Sequence, residues 1–133
     1  MSIFKKKDIF KVKSVPVDPA AMGEPTTAED YVRRGMAYYA RKQYDAAVTD
    51  LNKAISLNPQ EREAYYALGM VLKAQEKKEA AVAAFQKTLD LIASETGVNQ
   101  VKADMLRRLA LGHMNEISQG DWNLEKEIWQ HIE

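Results

Sequence analysis

Few side chains in this sequence have the type and spacing that chemistry requires. The two histidines, His113 and His131, stand far apart on separate helical segments, and the chain contains no cysteine. That composition removes thiol catalysis, disulfides and cysteine-based zinc or iron–sulfur centres, and two distant histidines make a poor metal site. His113 reads as a groove or surface residue and His131 as a terminal one. No glycine-rich phosphate loop and no nucleophile motif is present. The carboxylates Asp45, Asp50, Glu61 and Glu63 read as solvated helix faces rather than as an acid–base pair. No catalytic residue, metal site or cofactor is expected, so the chain is not read as an enzyme.

The elements around these residues are better defined. The sequence has 133 residues, 46% of them apolar and 29% charged, which suits one globular domain with a tail. Nineteen basic and 19 acidic side chains give no net charge, and no nucleic-acid partner is expected from such a balance. No apolar run approaches the roughly 20 residues of a membrane-spanning helix. The N-terminus lacks the apolar segment of a secretory signal, so a soluble, cytoplasmic protein is expected.

From Ala28 to Ala93 the sequence repeats itself with a constant offset. Tyr31 aligns with Tyr65, Gly35 with Gly69, Tyr38 with Leu72, Ala47 with Ala81 and Leu51 with Phe85. Each copy reads as two amphipathic helices, about 28–41 and 44–57, then about 60–75 and from about 79 to 93. Thr26 and Glu29 suggest a capping box for the first helix, and Asn58-Pro59 a cap and first position for the third. The prolines at 16, 19 and 25 mark residues 14–27 as a linker through which no helix should run. A further helix is expected over about 98–118 and a last one over about 121–132, the latter carrying Trp122, Ile128 and Trp129 as a closing layer.

This pattern, with a period of about 34 residues, resembles the tetratricopeptide repeat family. The resemblance implies an all-α, antiparallel helix-pair superhelix of about three pairs, the third degenerate and displaced by an insertion of roughly nine residues. The expected organisation is an arm and linker over 1–27 and a repeat domain over 28–133, divided as 28–61, 62–95 and 98–133. Small residues, Gly35 with Ala47 and Gly69 with Ala81, should let paired helices approach. Two departures stand out. Arg34 occupies a place where the second copy has Leu68, which suggests an open outer side, and Thr88 replaces the counterpart of Ala54, which suggests a looser second junction.

In this family ligands lie along the concave surface of each pair's first helix. That implies a peptide-binding stripe of Val32, Met36 and Tyr39, then Tyr66, Met70 and Lys73, continued by Leu109 and His113, with Glu29 and Glu63 at its start. Relatives that grip a peptide carboxylate use lysine and asparagine where this chain has Val32 and Met36, so that clamp is not expected. The face reads as apolar and methionine-rich, suited to an apolar peptide or an amphipathic helix. The implied function is a scaffold, adaptor or co-chaperone that binds a protein partner. Residues 1–13 add Lys5, Lys6, Lys7, Lys11 and Lys13 interleaved with Ile3, Phe4, Ile9 and Phe10. That arm supports two alternatives: peripheral contact with an anionic membrane by an assembly factor, or self-association through the groove.

Overall fold

The computed structural model describes residues 17–94 and 100–120, and all regular structure among them is helical. Five α-helices follow one another: α1 (Ala28–Ala40), α2 (Tyr44–Leu57), α3 (Arg62–Ala74), α4 (Lys78–Ser94) and α5 (Gln100–Gln119). The helix expected over 121–132, its tryptophans and the arm at 1–13 lie outside the described residues.

The capping box of α1 sits one residue later than the sequence suggests. Thr27 Oγ1 accepts the Asp30 amide at 3.1 Å, and the Asp30 carboxylate accepts the amides of Thr26 and Thr27. The Thr26 amide, then the Arg33 guanidinium 2.6 Å away, hold the Asp30 carboxyl down at about 2. The linker is not free of helix either: Pro19–Met22 forms one 3₁₀ turn, capped by Asp18, with Pro19 buried. Proline at the first position fits such a turn because its missing N–H has no partner to lose. Likewise α3 begins at Arg62 rather than at Gln60. Asn58 Oδ1 accepts the Gln60 amide, so the residues around Pro59 form a separate turn.

The two helix pairs turn at equivalent places. Lys42 and Glu76, matching positions of the two copies, both adopt φ of 61°. There the amides of Gln43 and Lys77 reach back 2.9 Å to the carbonyls of Tyr38 and Leu72, closing each helix end. Inside each pair a glycine meets a large side chain. A Cβ on Gly35 would lie 3.0 Å from Leu51, and one on Gly69 would lie 2.7 Å from the Phe85 ring.

Two apolar clusters result. Ala47, Leu51, Ala67 and Val71 join α2 to α3, and Ala81, Phe85 and Ala110 join α4 to α5. So α5 stacks on the second pair as the first helix of a third would. Arg34 is not on an open side. Its guanidinium forks onto Asp50 at 2.7 and 2.9 Å between α1 and α2, and Asp50 is 4% exposed rather than solvated. Thr88 is wholly buried, and its hydroxyl donates to the Ala84 carbonyl, so the junction is filled.

Candidate functional site

Helices α1, α3 and α5 contribute one stripe each to a common face. Val32, Met36 and Tyr39 come from α1, Tyr66, Met70 and Lys73 from α3, and His113 from α5, while Leu109 lines a recess along α5 with Val101, Asp104, Met105 and Arg108; all eight predicted residues are half-buried. Val32, Met36 and Tyr39 pack against the first apolar cluster, Tyr66 and Met70 against the second. Their inner sides therefore belong to the core and their outer sides to the surface. Tyr39 also meets the Tyr44 ring at 5.9 Å. Burial raises the hydroxyl pKa of both Tyr39 and Tyr66.

At the α3–α5 seam the face is polar, not apolar and sulfur-rich throughout. His113 Nδ1 lies 3.0 Å from Lys73 Nζ, and His113 Nε2 lies 3.1 Å from the Tyr66 hydroxyl. An ammonium only donates, so Nδ1 must accept, and Nε2–H then donates to the Tyr66 oxygen. The imidazole stacks on Phe85, with centroids 5.1 Å apart and planes 5° apart. Burial, reinforced by the Lys73 charge, pushes the His113 pKa down to about 4, which keeps the ring neutral at physiological pH. Lys73 also pairs with Glu116 at 2.9 Å. Glu116 is the residue that the sequence reading missed. It stands three after His113, as Tyr39 stands three after Met36 and Lys73 after Met70. Extending that spacing by one step would have found it.

The other end of the face holds a recess of about 220 Å³ bounded by Glu29, Val32 and Arg33 of α1, Glu61 and Glu63 at the start of α3, and Lys102 of α5. Glu61 and Glu63 are half-buried rather than a solvated face, whereas Glu29 is exposed. The Glu61 and Glu63 carboxyls lie within hydrogen-bond reach, and that contact, then burial, raises Glu61 to about 7. Burial opposes ionisation of Glu63, but the bonds from Glu61, from backbone and from Lys102 outweigh it and leave its pKa lowered. Lys102 Nζ sits 3.2 Å from Glu63 and ties α5 to α3. Among the described residues no group of histidines and carboxylates has the arrangement of a metal site.

Two tetratricopeptide family models match the chain, one over residues 35–76 and one over residues 63–94. Residues 35–94 are tetratricopeptide repeats. Among solved structures, the crystal structure of MamA is similar, with a TM-score of 0.51 and 27% identity over 81% of this chain. The chain spans 63% of the MamA chain, a little under two thirds of its length. No curated protein matches the sequence. Tetratricopeptide repeats generally serve as protein-interaction scaffolds without catalytic activity of their own, and the matched residues support that general role. No helix among the described residues is long and apolar enough to cross a membrane.

Proposed function

We propose that the chain binds a partner protein by receiving an apolar peptide or one face of an amphipathic helix along α1, α3 and α5. The observation that carries this reading is the row of half-buried side chains, Val32, Met36 and Tyr39 beside Tyr66 and Met70, presented in matching register by successive repeats. Side chains that are half in the core are already ordered, so a ligand laid across them loses little further conformational entropy. Methionines at 36 and 70 adapt to irregular apolar contours. The polar groups at either end, Glu29 with Glu61 and Lys73 with Glu116, give such a ligand a direction. An adaptor or co-chaperone role follows from this docking mode.

The test is a quantitative pull-down from native lysate with wild type and Met36→Glu/Met70→Glu, after circular dichroism confirms that both are helical. Loss of a partner only in the double variant is the expected result. An unchanged partner set would remove the concave face from consideration.

A further inference from the structure

The charges of this chain are unevenly placed along it. Residues 1–16 hold five lysines and one aspartate, which leaves 14 basic and 18 acidic side chains for residues 17–133. The same segment holds the apolar pairs Ile3–Phe4 and Ile9–Phe10, with Lys5, Lys6 and Lys7 between them. The 3₁₀ turn at Pro19–Met22 lies against α1, and Met22, Gly23, Glu24 and Pro25 line a recess with Asp30, Arg33 and Arg34. Arg33 lines both that recess and the one formed by Glu29, Glu61 and Glu63. The segment Met22–Pro25, a few residues after residues 1–16, thus adjoins the carboxylate end of the face through Arg33. A segment of that length reaches at most about 50 Å, against roughly 20 Å across three adjacent helices.

We propose that residues 1–16 of the same molecule occupy the concave face, so that an external partner must displace them. This rests on the reading of that face as a docking surface and names its resident ligand. The apolar pairs lie over Val32, Met36 and Met70, and the lysines meet Glu29 and Glu61. Glu63 is already engaged by Lys102 and by Glu61. A lysine ammonium arriving beside Glu61 favours its ionised form. Facing this site are Glu29 and Arg33 from α1, Arg62 and Glu63 from α3, and Lys102 from α5. A tethered segment competes at an effective concentration on the order of millimolar, enough to mask a weak groove without making it inaccessible.

The experiment uses the full chain and, as probe, a fluorescein-labelled peptide of residues 1–16 read by anisotropy. The comparison variant is Lys5→Glu/Lys6→Glu/Lys7→Glu/Ile9→Ser/Phe10→Ser, which disables the chain's own arm and leaves the repeats untouched. The variant should bind the probe at least about tenfold more tightly than wild type, because the competitor is gone. Adding Glu29→Lys/Glu61→Lys, or separately Met36→Glu/Met70→Glu, should weaken that binding by about tenfold or more, with solution mass remaining that of a monomer. Equal affinity for wild type and arm variant, binding indifferent to both groove variants, or no binding would overturn the proposal. A dimer that dissociates in the arm variant would also overturn closure within one molecule, by assigning the arm to a neighbour's groove. If the probe is silent while a lysate partner is still lost with Met36→Glu/Met70→Glu, the arm fails and the docking face stands.

Discussion

At residue scale, the two repeats solve one packing problem in two ways. The first places Arg34 against Asp50, and the second places Leu68 and Ala84 at the equivalent positions. Removing one half of a buried pair strands the other, so Asp50→Ala should cost about 2–3 kcal/mol in urea denaturation. Arg34→Leu/Asp50→Ala, which copies the second repeat, should recover most of that loss. A double variant no more stable than the single one would show that the pair does more than fill space. The Glu61–Glu63 pair predicts a pH effect. Glu61 is raised from 4.5 to about 7 in the folded chain, so its contribution is present below pH 4.5 and fades as pH rises through 7. Glu61→Gln keeps a donor toward Glu63 without the charge. It should stabilise the protein by about 1 kcal/mol at pH 8, discounted for solvent, and by much less at pH 5. His113 acts with the opposite sign: depressed to about 4, it gives stability that is lost as pH falls from 6.5 toward 4. Neither effect was legible in the sequence. Periodicity says which side chains share a face, but it does not say that Glu61 will meet Glu63 or that Asp50 will be buried under Arg34.

At the scale of elements, the sequence was far more informative. The constant repeat offset placed α1 to α4 and the small residues at their crossings, because an amphipathic stripe and a close approach both leave marks in residue type. The starts of helices were less legible, since Thr26, Thr27, Glu29 and Asp30 offer two capping frames and only the backbone chooses between them. The glycines make the packing concrete. Alanine gains about 1 kcal/mol of helix propensity over glycine, whereas overpacking a filled seam costs about 1–3 kcal/mol. At Gly69 the new Cβ would press on Phe85, a fully buried ring held between Tyr66 and His113. At Gly35 the nearer atoms belong to Leu51, and the approach is looser, at 3.0 Å against 2.7 Å. Thermal unfolding should therefore show Gly69→Ala destabilised and Gly35→Ala close to neutral. The reverse order would mean that the second pair is packed less tightly than the first.

At the scale of the molecule, one continuous face runs from the Glu29–Glu61 recess, past the two methionines, to the Lys73–His113–Glu116 cluster. The stripe residues were nameable from the sequence, but its chemistry was not. Its apolar centre was visible in Met36 and Met70 and one end in Glu29 and Glu63, while the contacts of Lys73, His113 and Glu116 arise where α5 meets α3, at an offset that breaks the repeat. A partner lying along this face would be caught most directly by site-specific photocrosslinking in native lysate. The photoreactive residue is placed at Tyr39 or Tyr66 on the concave face, or at Gln86 on the exposed side of α4. One shared partner band from Tyr39 and Tyr66, and none from Gln86, is the predicted result. A partner captured from Gln86 alone would contradict it and place recognition on the opposite side of the repeats.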